Sequence, residues 1–108
     1  MATTPTDVDA VFTAMANPVR RRLLELLADG PRNAGELARA FELSRPAVAE
    51  HVAQLRKVGL VADEQRGRER AYRLTAEPLV EVARWLSPFE RYWRDRLRSL
   101  ADFVEDDR

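Results

Sequence analysis

The sequence predicts a mainly α, α+β fold: five or six helices with one two-stranded β-hairpin. Three observations carry that expectation. Apolar residues recur at helical spacing along most of the chain, capping residues stand before successive helical stretches, and two short β-prone runs flank a single glycine-centred turn. At 108 residues the chain is expected to form a single domain around one modest core, residues 1–108, behind a disordered tail at residues 1–6.

Val8, Val11, Phe12 and Met15 fall at i, i+3, i+4, i+7 and place a first amphipathic helix at about residues 7–16. Asn17 is positioned to cap a second helix with Pro18 at its first position, where a missing N–H costs nothing. Val19, Leu23, Leu26 and Leu27 continue the apolar face until Gly30-Pro31. Asn33 followed by Glu36 has the spacing of a capping box, and Leu37, Ala38 and Phe41 give a short third helix its buried side. After the turn Glu42-Leu43-Ser44, Ser44 caps a fourth helix reaching about Val58, with Val48, Val52 and Leu55 facing inward. Leu60-Val61-Ala62 and Ala71-Tyr72-Arg73-Leu74 then form a hairpin across Gln65-Arg66-Gly67-Arg68-Glu69. Alternation puts Tyr72 and Leu74 on its anchoring face and Ala71 and Arg73 on the other. In the last third, residues 76–105, Leu79, Leu86, Trp93 and Leu100 recur at sevens, with Phe89, Leu97 and Val104 between them. Ser87-Pro88 predicts a kink or restart within that helix.

Composition removes several function classes. The chain has no cysteine, so disulfides, thiolate metal sites and thiol switches are excluded, in keeping with a cytoplasmic location. Its N-terminus is polar rather than a secretory h-region, and no apolar run nears the roughly 18 residues of a membrane span. No nucleophile–base pair, phosphate loop or metal-ligand spacing is present, so neither an enzyme nor a cofactor is expected. Net charge is zero, yet residues 44–74 hold seven basic and four acidic side chains, a local excess that matters more than the total.

Two short helices joined by a three-residue turn, with a hairpin directly after the second, describe a winged helix-turn-helix: residues 34–58 the helix-turn-helix, 60–74 the wing. With the fourth helix packed through Val48, Val52 and Leu55, its Pro46, Glu50, Ala53, Gln54 and Lys57 turn outward. Arg45 and Ala47 lie at the N-terminal end, which meets base edges in a major groove. Ser44 and the free N–H groups there suit a phosphate. The wing offers Arg66, Arg68, Arg70 and Arg73, of which Arg66 and Arg68 are expected on phosphate or in the minor groove. The predicted partner is double-stranded DNA. His51 either touches a phosphate or packs at the rim of the core. Arg20, Arg21 and Arg22 point in different directions and predict a solvated face with one or two ion pairs.

The stretches NPVRRRLLELL, GELARAFELSRPAVAEHVAQLRKVGLV and GRERAYRL resemble the winged-helix arsenical-resistance repressor (ArsR) family across about residues 11–75. The tail RWLSPFERYWRDRLRSL is similar to a subgroup with an aromatic-rich terminal helix. The resemblance implies a homodimer built from the first and last helices, repressing its own or a neighbouring operon. Val8, Val11, Phe12, Met15, Leu79, Leu86, Phe89, Trp93, Leu97 and Leu100 are the expected interface. Two departures stand out. Ala49 and Glu50 occupy places where family members often carry serine followed by arginine or glutamine, and the Cys and His/carboxylate sets of the family's metal sensors are missing. No metal site is therefore expected, and the releasing signal stays open between a small-molecule effector, a protein signal and concentration alone. Glu50 and the neutral net charge also leave room for a protein-interaction module on the same scaffold. The aromatic set Trp85, Phe89, Tyr92 and Trp93 fits either an interface core or a ligand pocket.

Overall fold

Helix starts in this chain are set by side chains that accept from otherwise unpaired backbone N–H groups. The structure is a computed structural model describing residues 7–106, with side chains described through Val104; the expected tail at residues 1–6 lies outside the described residues. Asp7 accepts from Ala10 and opens α1 (Val8–Met15). Asn17 accepts from Val19 and Arg20 and opens α2 (Pro18–Ala28). Asn33 and Glu36 form a reciprocal capping box at α3 (Ala34–Phe41), with N···O distances of 2.8 and 3.0 Å. Ser44 accepts from Ala47 at 3.2 Å and opens α4 (Arg45–Lys57). An antiparallel pair, β1 (Val61–Arg66) and β2 (Glu69–Leu74), leads into α5 (Glu77–Asp106).

The architecture is the expected mainly α one, with a winged helix-turn-helix in α3, α4 and the hairpin. α1 packs on α2, α4 and α5, α3 on α4, and β2 on α2. Leu23, Leu37, Leu55, Leu60, Val11, Val48 and Val52 are the largest fully buried side chains, so every helix but α5 places one at the centre. Each such side chain stabilises the fold by roughly 1.5–3 kcal/mol relative to exposure.

Four details sharpen the sequence reading. Among the described residues there are five helices, within the expected five or six, because α5 runs through Pro88 without the restart. The proline removes only the hydrogen bond to the Arg84 carbonyl. Every residue from Ser87 to Val104 is exposed, so water can take that bond. The strands are also longer than expected, six residues each, and pair from Val61↔Leu74 to Arg66↔Glu69. That leaves a two-residue turn, with Gly67 at φ 60 in the first central position. Ala71 is fully buried although alternation places it on the same face as exposed Arg73; a methyl group is small enough to be covered where a guanidinium is not. Finally, the α3–α4 turn places Glu42 at φ 53 without a glycine, a left-handed residue costing on the order of 1 kcal/mol.

α5 sets the shape of the molecule. Thirty residues of helix span about 45 Å, and the radius of gyration is 18.2 Å against about 13 Å for a compact chain of this size. Its first part docks on α1 and the core through Val82, Leu79 and Leu86. The rest projects beyond.

Candidate nucleic-acid interface

The packing of α4 decides what it can present. Val48, Val52 and Leu55 are at most 1% exposed, so the opposite side is turned to solvent. On it Ser44, Arg45, Pro46, Ala49, Glu50 and Lys57 are exposed, and Ala47, His51, Ala53 and Gln54 are half-exposed. The alanines keep this side low, which allows close approach of a groove wall. The Ser44 oxygen accepts the Ala47 N–H and keeps its own hydroxyl proton for another acceptor. Arg45 folds back over α3: a Cβ added at buried Gly35 would lie 3.1 Å from its guanidinium. Glu50 accepts from Gln54 at 3.2 Å, an i,i+4 pairing that turns the carboxylate along the helix.

The wing is clasped to the start of α3. Arg32 and Tyr72 exchange backbone hydrogen bonds at 3.1 and 2.8 Å, adding a short third bridge to the hairpin. Arg66 donates to the Pro31 carbonyl at 2.9 Å and lies 3.7 Å from Glu36, while Asn33 donates to Glu69 at 3.1 Å. Arg66 thus anchors the wing tip as well as carrying charge there. The hydrogen bond from the Asn33 N–H holds the Glu36 carboxyl below its ordinary range, helped by Arg66, Arg32 and Arg39 against the opposing effect of desolvation. Arg70 lies 3.6 Å from Asp63 and is 70% exposed. Arg68, in the turn, is exposed and forms no ion pair with a described residue. Among the described wing arginines it shares that freedom with Arg73, which is likewise exposed and outside every ion pair.

Arg21 and Arg22 on α2 are exposed, as a solvated face requires, while Arg20 is half-buried, and backbone and ring contacts stand where ion pairs were expected. Arg20 and Arg21 donate to the Ala14 and Met15 carbonyls at the end of α1, at 3.2 and 2.8 Å. Arg22 stacks over Phe41 with 5.3 Å to the ring centroid. The last carbonyls of α1 lack helical partners, and guanidinium groups one turn into α2 are placed to supply them. The second Arg20 contact is to His51 on α4.

The residues expected at a dimer interface divide in two. Val11 is 0% exposed and belongs to the core of its own chain, so it has no surface for a partner. Val8, Phe12, Met15, Leu79 and Leu86 are half-buried. Phe89, Trp93, Leu97 and Leu100 are 44–66% exposed on one side of α5, joined by Trp85, Tyr92, Phe103 and Val104. Trp85 packs edge-on against Phe12 at 5.5 Å and beside Phe89 at 4.9 Å, tying the apolar stripe to α1.

A family profile described as "Bacterial regulatory protein, arsR family" matches residues 17–63, from the α2 cap into the wing. HTH-type transcriptional regulator Rv2034 of Mycobacterium tuberculosis is 34% identical over 92% of this chain and 90% of its own length. The chain belongs to the ArsR family. This ArsR-family protein is also 32% identical to transcriptional repressor SdpR of Bacillus subtilis, over 73% of the chain and 88% of that relative. The solved ArsR-like transcriptional regulator from Rhodococcus sp. RHA1 superposes with a TM-score of 0.69 at 31% identity, covering 89% of this chain and 91% of that one. The ArsR-family protein is accordingly a DNA-binding transcriptional regulator and not an enzyme. No described group of three His, Cys, Asp or Glu side chains is placed to hold a metal ion, and no described helix is long and apolar enough to cross a membrane.

Proposed function

We propose that this chain is a cytoplasmic repressor that binds a pseudo-palindromic operator as a homodimer and controls its own or a neighbouring gene. The observation that carries the reading is the solvent-facing side of α4 beside the Arg68 and Arg70 wing, in a chain whose α5 leaves a long apolar side bare. Each protomer lays α4 in a major groove, with half-sites about one helical turn apart. Ser44, Pro46, Ala47, His51, Gln54 and Lys57 set the fit, Arg45 and Glu50 meet base edges, and Arg66, Arg68 and Arg70 meet the backbone. The second copy covers Phe89, Trp93, Leu97 and Leu100 through an isologous contact extended by Phe12 and Met15. Repression, rather than activation, is supported by the similarity to SdpR.

Selection of duplexes from a random pool, followed by footprinting and mass measurement of the complex, tests this. The expected product is a two-fold symmetric sequence holding two chains. Arg45→Ala changes the selected bases without abolishing binding. A pool that enriches nothing, from a protein that is folded and dimeric, assigns the scaffold to protein interaction instead.

A further inference from the structure

One side chain touches three helices that the DNA reading assigns to different tasks. Arg20, on α2, donates through Nη1 to the Ala14 carbonyl of α1 at 3.2 Å and through Nε to Nδ1 of His51 on α4 at 3.4 Å. Guanidinium has only donors, so this bond exists only while Nδ1 of His51 carries a lone pair. The proton of the neutral imidazole must then sit on Nε2. No described residue bonds Nε2, and the ring is half-exposed on α4. In α4 His51 stands between exposed Glu50 and buried Val52, and the residue is half-buried at the margin between core and solvent.

We propose that Arg20 is a positioning residue for DNA recognition: it holds His51 in the Nε2–H tautomer, which donates to a backbone phosphate of the operator. This rests on α4 being the DNA-reading helix. A neutral Nε2–H donor fixes register without adding charge, and the same arginine ties that register to α1. Either nitrogen of an unheld imidazole can carry the proton, and in the other tautomer Nε2 becomes an acceptor, repelled by a phosphate oxygen. Arg20 is the charged group that the geometry places on the ring, from α2; Glu50 precedes His51 in α4, with its carboxylate turned to Gln54.

Long-range 1H–15N spectra of the imidazole in wild-type protein, with duplex titrations over a range of salt, supply the test. The expected wild-type spectrum is that of the Nε2–H tautomer. His51→Phe keeps ring volume and loses affinity roughly tenfold, the scale of one hydrogen bond to a charged group. Its salt dependence keeps the wild-type slope, because no cation has been removed. His51→Gln, which retains an amide donor, recovers most of the loss. Arg20→Met produces a mixture of tautomers and a loss like that of His51→Phe, Arg20→Lys restores the single tautomer, and the Arg20→Met/His51→Phe double variant binds no worse than His51→Phe alone. An Nδ1–H wild-type spectrum overturns the proposal, and that measurement needs no variant to fold. Equal binding by His51→Phe and wild type also overturns it while leaving the repressor reading intact. A wild type that enriches no duplex brings down the repressor reading and this inference together.

Discussion

The outer side of α4 and the outer side of α5 beyond Leu86 are both bare, but they differ in what water does to them. On α4 the exposed residues are small, polar or charged, and the carboxylate among them is already paired within the helix. On α5 they are Phe89, Trp93, Leu97, Leu100, Phe103 and Val104, each more than two-fifths exposed. Covering a half-exposed leucine or phenylalanine gains on the order of 1 kcal/mol, and a contiguous row of them marks an interaction surface. The α4 side is complete as a soluble surface and waits for a polyanion. The α5 side leaves apolar area in water that the proposed second copy would cover. The lesson is that the exposed surface of this chain is divided along its length, with charge and small polar residues in its middle third and a bare apolar stripe in its last.

The largest effect should come from breaking the α5 side. Trp93→Asp places a charge in the centre of the apolar stripe; sedimentation should then show monomers, and operator affinity should fall by a hundredfold or more as two half-sites become one. An intact dimer in that variant would move the interface elsewhere. Next is the support beneath α4: Leu37→Ala leaves a cavity under the helix-turn-helix and should lower unfolding free energy by about 2–5 kcal/mol in urea titrations. Arg68→Ala should weaken binding to all duplexes about equally, and reduce the slope of log affinity against log salt by about one. An unchanged slope would separate Arg68 from the DNA backbone. Ser44→Ala removes the α4 cap and should cost about 1 kcal/mol in thermal stability.

The smallest effect is titratable and lies at the wing. Because the folded state depresses the Glu36 carboxyl below its ordinary value of 4.5, its contribution is present above that value and is lost as pH falls through the lower folded one. Glu36→Gln should therefore flatten stability against pH on the acid side, with no change near neutrality in that slope. A slope identical to wild type would show that the capping box and Arg66 do not act through the charge.

Much of this division was legible before any coordinates. Asn17-Pro18, Asn33 with Glu36, and Ser44 each predicted a helix start, because a cap acts within three residues of itself. The buried stripe of α4 followed from the spacing of Val48, Val52 and Leu55 for the same reason. Other features were illegible for the opposite reason. The Arg20–His51, Asn33–Glu69 and Arg66–Pro31 contacts join residues 31 to 36 positions apart, and no periodicity reports them. The three successive arginines were expected to find ion pairs, because nothing local announces the carbonyls at the end of α1 that Arg20 and Arg21 reach instead. Pro88 looked like a break because the proline rule weighs one lost hydrogen bond, whereas the rest of a long helix continues around it where water reaches the gap.

What the sequence determined by itself is where helices begin, which side of each is apolar, and that positive charge gathers between Ser44 and Leu74, since these depend on neighbours a few bonds away. What only the tertiary structure decided is which apolar residues are spent inside the chain and which stay outside. Val11 and Leu100 look alike in pattern, yet one is sealed in the core and the other is 59% exposed. The difference arises because α1 lies across the body of the domain, whereas a helix about 45 Å long outruns the core that its own chain can supply.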